Sequence, residues 1–96
     1  MDLQLSGKTA LVTGASVGLG RCIAKMLARE GCEVAIVARR EHLLHSLAEE
    51  IQAEGGAKPL VIVHDIMDAS APQAIHQQVM QRFGGLDILV NNAGGS

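Results

Sequence analysis

Three glycines, Gly14, Gly18 and Gly20, fall in the segment Thr13-Gly14-Ala15-Ser16-Val17-Gly18-Leu19-Gly20. Residues without side chains at this spacing permit a tight turn. They also open the backbone to an incoming pyrophosphate and allow a helix to pack closely on a strand. The amide hydrogens at the start of such a helix then face the anion, and the helix dipole favours it. The spacing alone is weak, because 11 of the 96 residues are glycine. Its weight comes from its place: it follows the short apolar run Ala10-Leu11-Val12 and opens a helical pattern, the context that dinucleotide binding demands. The alternative is an ordinary strand-to-helix turn. Gly14, Ser16, Val17, Gly18, Leu19 and Gly20 are the candidate phosphate-binding residues.

A second group of chemistry-bearing residues follows the second apolar run. Where an NAD site carries a carboxylate for the ribose 2′-hydroxyl, this chain reads Val37-Ala38-Arg39-Arg40. A carboxylate would repel a 2′-phosphate, whereas arginine clamps one with two parallel bonds. The expected cofactor is therefore NADP(H) in preference to NAD(H). Arg39 is the main contact, Arg40 a second, and Ser16 a further neighbour of the 2′-phosphate. The alternative is a pair of solvated charges near Glu41, although cations at a helix start oppose the dipole.

Asp65 closes the third apolar run, where it can serve a ligand or cap the turn that follows. The only two asparagines, Asn91 and Asn92, stand together after Leu86-Asp87-Ile88-Leu89-Val90. Ligands of open α/β folds bind at the carboxyl ends of the strands. Asparagine amides there can bridge neighbouring backbones or meet a ribose.

The elements that must position these residues alternate. Strands are expected at Lys8–Thr13, Glu33–Ala38, Pro59–His64 and Leu86–Val90. Helices are expected from Leu19 to Gly31, from about Arg40 to Glu54, and from near Ser70 to Gly84. Periodicity predicts buried faces made of Leu19, Ile23, Met26 and Leu27 on the first helix. It predicts Leu43, Leu47 and Ile51 on the second, and Ile75, Val79 and Phe83 on the third. Ser70-Ala71-Pro72-Gln73 resembles a capping box. The order βαβαβαβ predicts a doubly wound parallel sheet of the Rossmann type, strand order 3-2-1-4, cut after its fourth strand. Residues 1–96 would be the N-terminal part of one such domain. The fourth strand is apolar on both faces.

Composition narrows the classes further. Apolar residues make up 48% and aromatics 1%, so the core must be aliphatic. A net charge of −2 with interspersed signs gives no reason to expect a nucleic-acid or membrane surface. The N-terminus lacks a signal-peptide pattern, and Cys22 and Cys32 read as reduced packing thiols, so the expected location is the cytoplasm. His42 and His45 read as solvated helix residues, and no metal site is expected.

Taken in order, Gly7-Lys8, the glycine turn, Asp65 and Asn91-Asn92-Ala93-Gly94 resemble the classical short-chain dehydrogenase/reductase family over the whole chain. That resemblance implies that Asp65 accepts a hydrogen bond from the adenine amine. It implies that Ile66 offers its backbone N–H to the ring, and that Asn92, Ala93 and Gly94 line the ribose. The family's chemistry uses a serine and Tyr-x-x-x-Lys downstream of these segments. This chain has no tyrosine, and its lysines are Lys8, Lys25 and Lys58. No catalytic residue carries over, so the 96 residues alone are expected to be inactive. The complete protein would be an NADP(H)-dependent oxidoreductase acting on a small carbonyl or secondary alcohol, similar to 3-oxoacyl-carrier-protein reductases. The family's usual homodimer and homotetramer interfaces would lie beyond Ser96. A non-catalytic nucleotide-binding module or truncated product is the alternative. A flavin or methyl-donor site fits poorly with the arginine pair and Asn91-Asn92.

Overall fold

A computed structural model describes residues 5–92. Four strands alternate with three helices. They are β1 (Thr9–Thr13), α1 (Gly18–Arg29), β2 (Glu33–Ala38), α2 (Glu41–Ala53), β3 (Leu60–Val63), α3 (Ala71–Phe83) and β4 (Ile88–Val90). The sheet has the order β3-β2-β1-β4, and every pairing is parallel. Thr13 lies beside Val37, Val12 beside Val90, and Ala38 beside Val63. The carboxyl ends of all four strands therefore share one edge.

β1 occupies the centre and is buried at every residue. Alternation along β1 and β2 sends side chains to two apolar layers. Ala10, Val12, Val34, Ile36 and Ala38 pack under α1 and α2 with Leu44, Leu47 and Ile51. Leu11, Ala35 and Val37 pack on the other face with Ile62 of β3 and with Ile75 and Val79 of α3. β4 is thinly covered, and Leu89 remains 60% exposed.

Three local expectations are corrected. The buried face of α1 is Gly20, Ala24, Leu27 and Ala28, while Leu19 and Met26 are exposed. The helix rides so close to the sheet that mostly small residues fit beneath it. Ser70 stands at the N-cap of α3 but makes no capping-box bond: its backbone is already helical, and its hydroxyl donates to Asp68 Oδ1 at 2.9 Å. Cys22 is exposed and is no packing thiol, whereas Cys32 is buried. Burial, then nearby Glu30 and Asp87, pushes the Cys32 thiol pKa up. No helix among the described residues is long and apolar enough to cross a membrane. No cluster of three or more His, Cys, Asp or Glu among them could hold a metal ion.

Candidate cofactor site

The strand ends meet around the glycine turn. Gly14 has φ +62° and Gly18 φ +61°, a left-handed backbone that side chains disfavour. The three glycines do different work. A Cβ on Gly14 would lie 2.2 Å from the Asn92 carbonyl oxygen, and one on Gly20 would lie 2.3 Å from the Gly14 carbonyl oxygen. Both positions are closed by the protein's own backbone. A Cβ on Gly18 would meet nothing within 4 Å, so the backbone there faces open space.

The N-cap of α1 is Val17, which supplies no capping side chain, and the first turn carries no acidic residue. Its leading amides thus have neither a side-chain acceptor nor an internal counter-charge. A terminus of this kind favours an external anion. By contrast, α2 carries Glu41 in its first turn.

β2 ends against this turn: the Ala15 N–H donates to the Val37 carbonyl at 3.1 Å. Arg39 and Arg40 follow at once, both exposed. Arg40 is the N-cap of α2 and supplies no capping bond from its side chain. Two cations therefore stand at a helix start beside the uncapped start of α1.

β4 is clipped to β1 at both ends. At one end the Thr9 N–H donates to Asp87 Oδ2 at 2.9 Å, and the Asp87 N–H returns to the Thr9 carbonyl at 3.1 Å. The Thr9 N–H holds the Asp87 carboxyl below its ordinary value. At the other end Thr13 Oγ1 donates to Asn91 Oδ1 at 3.1 Å and accepts from the Asn92 N–H at 2.9 Å. Asn92 Nδ2 in turn donates to the Gly14 carbonyl at 3.4 Å. The Asn92 amide thus bridges to a neighbouring backbone, one of the two roles read from the sequence, while the Asn91 amide meets the Thr13 side chain.

The remaining site residues are placed as follows. Ser16 is only 1% exposed, so its side chain faces inward, while Val17 and Leu19 are exposed. Asp65 is exposed at the β3 end and accepts the Met67 N–H at 2.9 Å, so one carboxylate oxygen caps the following turn. Ile66 packs against the α3-side core. Ala93 and Gly94 lie outside the described residues.

Sequence reasoning missed Arg21. Its guanidinium donates to the carbonyls of Ser16 (3.2 Å) and Leu43 (3.1 Å) and to Ser46 Oγ (3.2 Å), and it pairs with Glu50. It heads a ladder in which Lys25 reaches Glu50 at 3.0 Å and Glu54 at 3.3 Å, and Arg29 reaches Glu54 at 3.0 Å. The Lys25 and Arg21 hydrogen bonds hold the Glu50 carboxyl below its usual range. The signal was present: basic residues at 21, 25 and 29 and acidic ones at 50 and 54 share the four-residue helical spacing.

A family model described as short chain dehydrogenase matches residues 8–96. A short chain dehydrogenase of Pseudocercospora fijiensis is 50% identical over 95% of this chain and 29% of its own length. The 3-oxoacyl-[acyl-carrier-protein] reductase of Staphylococcus aureus is 46% identical over 91% of this chain and 35% of its own. Among solved structures, L-sorbose reductase from Gluconobacter frateurii, complexed with NADPH and L-sorbose, aligns with a TM-score of 0.93. Its identity is 40%, over 98% of this chain and 36% of that one. The chain thus spans about a third of the length of these relatives. With the parallel 3-2-1-4 sheet and the glycine turn at its carboxyl edge, the chain belongs to the short chain dehydrogenase family.

Proposed function

We propose that these residues form the cofactor-binding part of an oxidoreductase that uses NADP(H) in preference to NAD(H). The observation that carries this is the pairing of an uncapped α1 start, free of acidic residues, with Arg39 and Arg40 at the adjoining end of β2. That donor set suits a dinucleotide with a pyrophosphate and a third phosphate. The backbone from Gly14 to Gly20, including the amides of Val17, Gly18 and Leu19, would hold the pyrophosphate. Arg39 would hold the 2′-phosphate, with Arg40 second and Ser16 beneath. Asp65 would accept from the adenine amine with the oxygen not used by Met67, and the Ile66 N–H would meet the ring. Asn92, Ala93 and Gly94 would line the ribose. The nicotinamide, when bound, supplies hydride transfer to or from a carbonyl or secondary alcohol. The 3-oxoacyl-carrier-protein reductase and L-sorbose reductase relatives support a carbonyl substrate, and a cytoplasmic location is part of the same proposal.

A tyrosine proton donor of the kind the family resemblance implies would have to come from outside these 96 positions, which include no tyrosine. The 96-residue chain alone should bind cofactor without turnover. Titrating NADPH and NADH against the full chain by nicotinamide fluorescence tests the proposal. NADPH should bind at least about tenfold tighter, the worth of one charge-assisted contact. Equal or tighter NADH binding refutes the role of Arg39.

A further inference from the structure

One side chain ties the glycine turn to α2. Arg21 Nη1 bridges two backbone carbonyls, Ser16 at 3.2 Å and Leu43 at 3.1 Å. Nη2 is anchored from α2 by Ser46 Oγ and the Glu50 carboxylate. The Arg21 side chain is only 21% exposed, so these bonds are largely shielded from solvent. Ser16 precedes the N-cap Val17, so its carbonyl lies ahead of the α1 hydrogen-bond ladder. Nothing in the helix itself dictates where that carbonyl points.

The Ser16–Val17 peptide is trans and planar. In such a unit the carbonyl of one residue and the N–H of the next point in opposite directions. Drawing the Ser16 carbonyl toward Arg21 therefore turns the Val17 N–H away from it. Because Glu50 neutralises the guanidinium, Arg21 brings hydrogen-bond geometry to the turn and little net charge.

We propose that Arg21 is the positioning residue of the glycine turn: it locks the Ser16–Val17 peptide so that the Val17 N–H is presented to a cofactor phosphate. The assignment rests on the cofactor reading given above. It explains why an arginine is needed there. A planar fork can hold two carbonyls and a hydroxyl at once, which the single ammonium of lysine cannot do in the same geometry.

Amide NMR of the full chain during NADPH titration tests the assignment. In the wild type the Val17 resonance should move on binding. Arg21→Lys and Arg21→Met should each weaken NADPH about tenfold and leave the Val17 resonance unmoved. Ser46→Ala removes only the far anchor and carries little folding risk. It should weaken NADPH by about threefold and blunt the same response. Folded Arg21 variants that bind NADPH within about twofold of wild type overturn the assignment. So does a wild type that binds with Val17 unmoved; in both cases the cofactor reading survives. A wild type that binds no NADPH overturns that reading and this assignment together.

Discussion

Gly20→Ala is the sharpest test of how the site is built. In an ordinary exposed helix this change stabilises, by up to about 1 kcal/mol, because alanine is the better helix former. Here the new methyl would stand 2.3 Å from the Gly14 carbonyl oxygen and 2.8 Å from Asn92 Nδ2. The first distance is about 1 Å inside even a close carbon–oxygen contact of ~3.3 Å. The oxygen belongs to the backbone of the buried turn and cannot rotate aside. Relief requires α1 to lift from the sheet or the turn to shift. Overpacking of this kind costs typically 1–3 kcal/mol, and backbone clashes fall at the upper end. Setting ~3 kcal/mol against the propensity gain of ~1 leaves about 2 kcal/mol of net loss. In a chain of this size that lowers the thermal midpoint by roughly 10 °C. Thermal unfolding followed by circular dichroism of the wild type and the variant measures it. Gly18→Ala serves as the comparison, since its methyl would meet nothing and only the φ of +61° opposes it. Gly18→Ala should cost roughly 1–2 kcal/mol from backbone alone. A Gly20→Ala midpoint equal to or above wild type would refute the close-packing argument for the third glycine.

Three further perturbations probe the strand clips and the phosphate selectivity. Thr13→Val keeps the shape but deletes the hydroxyl that serves Asn91 and Asn92, leaving the Asn92 amide without its acceptor. It should cost about 1–3 kcal/mol in denaturant unfolding, while Thr13→Ser retains most of the wild-type stability. Because the Thr9 N–H depresses the Asp87 pKa, that carboxylate stabilises the fold above the unfolded value of about 3.9. Its contribution is lost as pH falls through the lower folded value, so Asp87→Asn should flatten the acid limb of a pH–stability profile below about pH 4. An unchanged limb would remove the clip from the account. Arg39→Asp should reverse the ratio of NADPH to NADH affinity, by about tenfold or more on the NADPH side. An unchanged ratio would assign the 2′-phosphate elsewhere.

The topology was legible because each step of it rests on a short-range rule. Aliphatic runs three to five residues long, separated by helical periods and glycine stops, leave few arrangements other than a parallel sheet. Gly31, Gly55 and Gly84 do end their helices with φ of +90°, +92° and +76°. What periodicity misjudged was depth. It ranks a face by hydrophobicity, and by that measure Leu19 and Met26 belong inside α1. The sheet admits the helix mainly along its smallest residues, Gly20, Ala24 and Ala28, with Leu27 beside them, so Leu19 and Met26 are left outside. The capping pattern at Ser70 failed for a related reason. Asp68, two residues earlier, competes for the hydroxyl and for the Ser70 N–H, both at 2.9 Å.

The candidate site divides along the same line. Gly14, Arg39, Asp65 and Asn92 could be found because strand ends carry them to one edge, and parallel topology alone guarantees that meeting. Arg21, Thr9 and Asp87 could not be found that way. Apart from Ser16, five positions before Arg21, their partners lie 22–29 and 78 positions distant; the four-residue spacing of the charges marks a helix face but not the carbonyls that Arg21 reaches. Yet these are the residues that fix the geometry. The Thr9–Asp87 and Thr13–Asn91 clips set the register of β4 on β1, which delivers the Asn92 carbonyl to the spot that makes Gly14 irreplaceable. Arg21 then fastens the other side of the same turn to α2. The turn is held from β4 on one side and α2 on the other, and only its backbone near Gly18 stays open. An anion site of backbone amides needs that combination, because amides stabilise charge in proportion to how little they must reorganise when the anion arrives.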